Sequence, residues 1–241
     1  MSLAPASLFI GHDSREDEVY RVCAHSVKKR THMPLTIQPI KLEEMRAKGL
    51  YHRPTEQRGN QLWDVISDAP MSTEFAISRF LTPHLSTTPW AVFCDCDFLF
   101  LEDIQKLFAL ADPRYAVMCV QHNHKPPEAT KMDNQVQLQY ARKNWSSLML
   151  WNCKHPSNAI LTVDVINKVP GRDLHRFFWL KDEEIGALPW AWNWLEGHSD
   201  PHIKPSAIHY TRGGPWFAHM KECSYADMWL NEERAMRKEE K

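Results

Sequence analysis

Residues Trp90-Ala91-Val92-Phe93-Cys94 form an apolar run that stops at Asp95-Cys96-Asp97. Such a run, with no polar alternation, reads as a strand covered on both faces, which calls for an α/β sheet with helices above and below it. Two carboxylates one residue apart at the end of a buried strand repel each other unless a cation or hydrogen bonds offset the repulsion. In open α/β sheets that end of the strand is also the ligand-binding edge. One short segment therefore sets the layer arrangement and the place to look for chemistry.

The flanking pattern agrees. Leu8 to Ile10 is a short apolar run closed by Gly11-His12-Asp13-Ser14, a turn and helix-cap signature, and Val19, Val22, Cys23, Ser26 and Val27 then recur at helical spacing. Leu35 to Ile40 reads as a strand that Pro39 confines to an edge or a short element. Tyr51 to Pro70, with the polar stretch Arg53 to Asn60, is expected to be loop. Thr73 to Leu81 is expected to be a helix closed by Pro83, Ile104 to Ala111 another helix, and Tyr115 to Val120 a strand. Beyond Gln121 the pattern loosens: a polar loop from His122 to Asp133, a short apolar run from Leu148 to Trp151, and Leu161 to Val169, which suits helix or strand. The charged segment Ala226 to Lys241 reads as a solvated helix. The expected fold is α/β, one domain over residues 1–241, with helices packed on the sheet.

Charge and cysteine usage exclude some functions. With 29 Lys+Arg against 30 Asp+Glu the chain lacks the basic surface that displaces counterions from nucleic acid, so no nucleic-acid partner is expected. Cys94 and Cys96 are too close for a C-x-x-C site, and the six cysteines, several within apolar runs, read as reduced thiols of a cytoplasmic protein. The first residues lack the basic and apolar regions of a signal peptide. No apolar run nears the roughly 20 residues of a membrane span, so any membrane contact is expected to be peripheral.

The acidic pair admits several readings. A hard divalent ion, Mg²⁺ or Mn²⁺, would take oxygen from one or both aspartates and complete its shell with diphosphate and water. Alternatively one Asp caps the next helix while the other is solvated. Phosphatases of the haloacid dehalogenase type also carry Asp-x-Asp after a buried strand, but there the motif lies in the first strand and a Gly-Thr or similar pair follows the second Asp. Here it is mid-chain and Phe98-Leu99 follows. His122-x-His124 and His198-x-x-x-His202 have zinc-like spacing but sit in polar, loop-like stretches.

Two further blocks flank the motif: Thr73-Glu74-Phe75-Ala76-Ile77-Ser78-Arg79-Phe80-Leu81 before it, and Ile208-His209-Tyr210-Thr211-Arg212-Gly213-Gly214-Pro215-Trp216 late in the chain. With Asp95-Cys96-Asp97 they resemble the retaining, GT-A-fold glycosyltransferases related to glycogenin and the bacterial lipopolysaccharide galactosyltransferases. The resemblance implies a Rossmann-like nucleotide-binding half over residues 8–121 with a mixed, mostly parallel sheet, an acceptor and sugar half over 122–225, and a charged terminal helix over 226–241. It implies that Asp95, Asp97 and His209 ligate a metal, usually Mn²⁺, that bridges the donor diphosphate.

Other roles follow from the same resemblance. Arg79 would face donor phosphate or sugar, and His12 and Asp13 would lie where the base and ribose bind, although Asp13-Ser14 is equally a helix cap. The family has Lys before Pro-Trp; this chain has Gly214, and Arg212 is the candidate to supply the missing charge. Gly213 and Gly214, ahead of Trp216, would let the backbone approach a phosphate. Lys143 to Cys153 resembles the family's Asn-Ser-Gly-hydrophobic-Asn segment, with Ser147 in place of Gly. Trp179 to Asn193 resembles its Asp-Gln segment and the Leu-Pro-x-x-(Trp/Tyr)-Asn that follows, which would place Asp182, then Glu183, near the anomeric carbon. Ten tryptophans suit a sugar site, since an indole face stacks on pyranose C–H bonds, though most would serve the core.

The function so implied is transfer of sugar from a nucleotide-diphosphate sugar, UDP-linked, to a glycan, lipid-linked sugar or protein. A metal-dependent phosphatase and a non-catalytic nucleotide-sugar-binding protein remain open as alternatives.

Overall fold

The apolar runs become strands of one six-stranded sheet. The structure is a computed structural model that describes residues 5–122, 142 and 144–240. His124, Lys143 and most of the segment from His122 to Asp133 lie outside the described residues, and with them the first zinc-like spacing.

The first strand, β1 (Ala6–His12), is buried throughout, and Asp13 caps the turn into α1 (Asp17–Lys28). Val19, Val22, Cys23, Ser26 and Val27 of α1 are all buried, as their spacing requires. Parallel to β1 runs β2 (Leu35–Lys41), followed by α2 (Leu42–Ala47). It forms the sheet edge, where Pro39 leaves no ladder position unfilled.

The stretch expected to be loop is instead an antiparallel meander of β3 (Thr55–Arg58), β4 (Gln61–Asp64) and β5 (Ala69–Met71). It escapes a periodicity reading because Glu56, Gln57 and Arg58 are all exposed, so β3 presents no apolar face. A buried ion pair anchors it. Arg53 Nε donates to Asp64 Oδ1 at 2.9 Å, and Nη1 donates to the carbonyls of Ile166 and Val169 at 2.8 and 2.7 Å.

The expected helix from Thr73 to Leu81 is also corrected. Turns lead to a 3-10 helix at Ser78–Leu81, and Pro83 stands in the first turn of α3 (Thr82–Leu85), where its missing N–H costs nothing. It opens a helix instead of closing one.

The motif strand is β6 (Trp90–Cys94), followed by β7 (Phe98–Phe100), α4 (Gln105–Phe108) and β8 (Val117–Cys119). Then come β9 (Leu148–Asn152), α5 (Val163–Lys168), α6 (Gly171–His175) and β10 (Ile185–Ala187). The last elements are β11 (Trp194–Leu195), β12 (Ala207–His209) and α7 (Ala226–Glu239).

The central sheet has the order β10-β8-β9-β6-β1-β2, with β9 antiparallel to both neighbours and the other pairs parallel. A smaller sheet, β11-β12-β7, hangs from the motif strand's carboxyl end.

The terminal helix is more than a solvated appendage. Trp229, Glu232 and Met236 of α7 are buried, and Val19, Val22, Leu99, Ile208, Tyr210, Trp229 and Met236 share one core beside the main one. Glu232 accepts from His25 Nδ1 at 2.6 Å and from Arg30 Nη2 at 2.8 Å. Burial alone would raise this carboxyl, but the hydrogen bonds and charge of Arg30, with the bond from His25, hold it below its usual range. Charges that read as solvent-facing are thus partly internal. No helix among the described residues is long and apolar enough to cross a membrane. All six cysteines are free thiols.

Candidate functional site

Alternation along the chain after β6 buries Cys94 and Cys96 and leaves Asp95 and Asp97 half-buried on the other side. The antiparallel pairing of β7 with β12 then sets His209 opposite Phe98, with the imidazole stacked on the phenyl ring at 4.5 Å between centroids. Ligand atoms of Asp95, Asp97 and His209 all lie within 4.8 Å of one another. His209 Nε2 is 3.4 Å from Asp97 Oδ1, and Nδ1 is 3.0 Å from Asn193 Oδ1. Two carboxylates and one imidazole around a common point make a donor set that suits a divalent cation, because the cation offsets the carboxylate repulsion that the buried strand otherwise imposes.

Arg79 lies beneath this group. Its Nη1 is 2.7 Å from Asp95 Oδ1 and donates to Ser146 O at 2.9 Å, while Nε donates to Ala76 O at 3.1 Å. The guanidinium packs over Phe75 and Phe93, 5.3 and 5.1 Å from their centroids. The side chain is buried.

A cleft of about 280 Å³ opens over the acidic pair. The meander and the residues up to Ile77 form one wall, Asn144 to Ser147 and the α6 residues Gly171, Arg172 and His175 another, and His209 and Thr211 close the end. Ser146 Oγ lies 2.7 Å from His175 Nδ1 within it.

Glu16, which the sequence did not single out, faces the same cleft. Burial raises its carboxyl to about 7, and the nearby charges of Asp97 and Asp13 add to the rise. Cys96 Sγ donates to Glu16 Oε2 at 3.6 Å, and burial, with the adjacent carboxylates, pushes that thiol well above its usual value. No local pattern marks Glu16, which reaches the cleft because β1 and β6 are sheet neighbours.

The other residues singled out from sequence are placed elsewhere. Asp13 is fully buried and its carboxylate is engaged by Arg15 N, Nε and Nη2 at 3.0, 2.9 and 2.7 Å and by Glu74 N at 3.1 Å. Burial would raise it, but these bonds keep it below the ordinary value. His12 Nε2 is 3.0 Å from Asp17 Oδ1. Neither side chain lines the cleft.

Arg212 Nη2 pairs with Glu196 Oε2 at 3.5 Å, outside the cleft lining. The glycines ahead of Trp216 have their own neighbours to accommodate. A Cβ on Gly213, at φ +104°, would sit 2.8 Å from the Phe217 ring, and one on Gly214 would sit 2.1 Å from the Trp216 ring. Trp216 itself packs against Tyr210 and Trp229, with centroids 5.8 and 5.1 Å apart.

Asp182 and Glu183 are not brought to the acidic pair. They precede β10 and are not among the residues that line the cleft. Asp182 is exposed and pairs with Arg142.

No family model matches the chain. Protein CDI of Arabidopsis thaliana is 53% identical over 243 residues, which cover 98% of this chain and 89% of that protein. Among solved structures, the bifunctional glycosyltransferase WbbM superposes with a TM-score of 0.63 and 14% identity over 98% of this chain. The chain spans about half of WbbM, 51% of its length. The galactosyltransferase LgtC, solved with donor and acceptor sugar analogues, gives a TM-score of 0.57 with 10% identity, covering 95% of each chain. These likenesses establish the GT-A fold expected from the sequence.

Proposed function

The chain belongs to the family of Arabidopsis thaliana Protein CDI and has the GT-A fold, and we propose that it is a metal-dependent glycosyltransferase using a nucleotide-diphosphate sugar. The observation that carries this reading is the convergence of Asp95, Asp97 and His209 at the carboxyl edge of the sheet, over a cleft large enough for part of a nucleotide sugar. Mixed carboxylate and imidazole ligands favour Mn²⁺ over Mg²⁺. Bound there, the ion would supply positive charge to the leaving diphosphate.

The chain's own residues have definable tasks. Asp95 and Asp97 provide the negative charge that holds a cation, and His209 adds a neutral donor. Arg79 pairs with Asp95 and fixes the direction of its carboxylate. Burial of Phe75, Phe93 and Phe98 around them lowers the local dielectric, which strengthens each of these charges. The segment after β1, residues 13–16, would be the platform for the base, through its backbone, since the Asp13 carboxylate is already bonded. The half of the chain over 122–225 would carry the acceptor, and the donor would be UDP-linked with retention at the anomeric carbon.

The test is thermal stabilisation by UDP, GDP and their sugar conjugates, with and without Mn²⁺, on wild type and Asp97→Asn. Mn²⁺-dependent stabilisation by one nucleotide, lost in the variant, is expected. Absence of any nucleotide effect, together with release of phosphate from a generic phosphomonoester, overturns the transferase reading in favour of a phosphatase.

A further inference from the structure

His209 is buried, and in the neutral imidazole a single proton sits on one nitrogen or the other, so its position decides whether the ring can ligate through Nε2. The surrounding hydrogen bonds fix that position from a definite starting point. Asn144 O is a backbone carbonyl and can only accept. Ser147 Oγ lies 2.7 Å from it and donates its proton there, leaving the hydroxyl only lone pairs to offer in other directions.

Asn193 Nδ2 is 2.9 Å from Ser147 Oγ and therefore donates to it. That orients the buried amide with Oδ1 toward His209 Nδ1, 3.0 Å away, and an amide oxygen requires N–H there. The imidazole then carries its proton on Nδ1 and its lone pair on Nε2, the atom turned toward Asp97. Ser147 is tied to the acidic pair as well, since its carbonyl accepts from Asp95 N at 2.9 Å.

We propose that Ser147 and Asn193 are positioning residues that lock His209 in the Nδ1–H tautomer and present Nε2 to a divalent cation shared with Asp95 and Asp97. Ser147 stands where the resembled glycosyltransferases have glycine, and glycine has no hydroxyl with which to begin this chain of bonds. The serine therefore adds to this chain a constraint on its metal-facing histidine. The consequence for metal rests on the reading given under Proposed function; the tautomer does not.

Two measurements on the full chain separate the possibilities. Chelator-treated wild type, Asn193→Leu, Asn193→Asp and Ser147→Gly are titrated with Mn²⁺ alone by calorimetry. Loss of such an outer partner weakens metal binding about 10–100-fold, and that loss is expected for Asn193→Leu. A smaller loss is expected for Ser147→Gly. Asn193→Asp should bind nearly as wild type, because a carboxylate still accepts from Nδ1–H.

In parallel, imidazole ¹⁵N shifts are read with His209 assigned by its disappearance in His209→Gln. Wild type should show a protonated Nδ1 and a lone-pair Nε2, and Asn193→Leu a mixture of tautomers. A purely structural role for Asn193 would lower stability without moving either readout. Folded Asn193→Leu with the wild-type tautomer and wild-type Mn²⁺ affinity overturns the proposal. If Asn193→Leu does not fold, Ser147→Gly carries the same decision. If wild type binds no Mn²⁺, the metal reading falls, and the nitrogen shifts alone decide the relay.

Discussion

Arg79 Nη1 and Asp95 Oδ1 lie 2.7 Å apart, with the arginine buried below the motif strand and the carboxylate at the floor of the cleft. This pair ties the acidic motif to the segment ahead of it, and it gives Asp95 a counter-charge before any ligand arrives. Arg79 Nε and Nη1 also donate to the carbonyls of Ala76 and Ser146, so the cation is held by the backbone of two separate segments.

Removing one partner of such a pair leaves an uncompensated charge in a poorly solvated place. Arg79→Leu is expected to lower stability by about 3 kcal/mol in urea unfolding of chelator-treated protein. Added Mn²⁺ should recover part of the loss, because it neutralises the same carboxylate. Unchanged stability in the variant would show that Asp95 is solvated well enough to need no partner.

The meander that forms one wall of the cleft depends on Arg53. Its side chain is fully buried with Asp64 and bonds the carbonyls of Ile166 and Val169. Arg53→Leu should cost about 3–5 kcal/mol, read as a drop in the thermal midpoint. A tolerated substitution would mean that the meander is held by its strand pairing alone.

Glu16 supplies a pH dependence of defined sign. Its carboxyl is raised from 4.5 to about 7 in the folded chain, chiefly by burial. Between those values the folded state binds more protons than the unfolded one, so this contribution to stability is complete below 4.5 and is lost as pH rises through 7. Glu16→Gln should flatten the fall of the thermal midpoint over that interval in metal-free protein. Parallel wild-type and variant curves would place the titration elsewhere.

Trp229 anchors α7 to the strand that carries His209, through Ile208, Tyr210 and Trp216. Trp229→Ala should cost about 3–5 kcal/mol. Because β12 lies between this core and the cleft, the same variant should weaken Mn²⁺ binding. Calorimetry that finds full affinity in the folded variant would show that β7 alone holds β12 in place.

What the sequence determined by itself was local. The apolar run Trp90 to Cys94 announced a central strand because burial on both faces leaves no polar alternation, and the acidic residues after it announced the ligand edge. The spacing of Val19, Val22, Cys23, Ser26 and Val27 gave α1. Resemblance of short blocks added His209 and Arg79, and the structure brings both to Asp95 and Asp97.

Tertiary structure decided everything that depends on which strands are neighbours. Glu16 reaches the cleft of the acidic pair, and Asn193 reaches the adjacent His209, through sheet order and strand register, across 81 and 96 residues of chain respectively from Asp97, and no pattern local to Glu16 encodes that approach. The same holds in reverse for Asp182, whose sequence context suggested the site but which lies outside the cleft lining and pairs with Arg142. The meander shows no strand periodicity because Glu56, Gln57 and Arg58 of β3 are exposed on both faces, while its anchor, Arg53 with Asp64 and the carbonyl of Val169, and the partners of Glu232 on α7, His25 and Arg30, are distant in sequence or set by the fold. Periodicity reports which face is apolar; only the folded chain shows which charges have found each other.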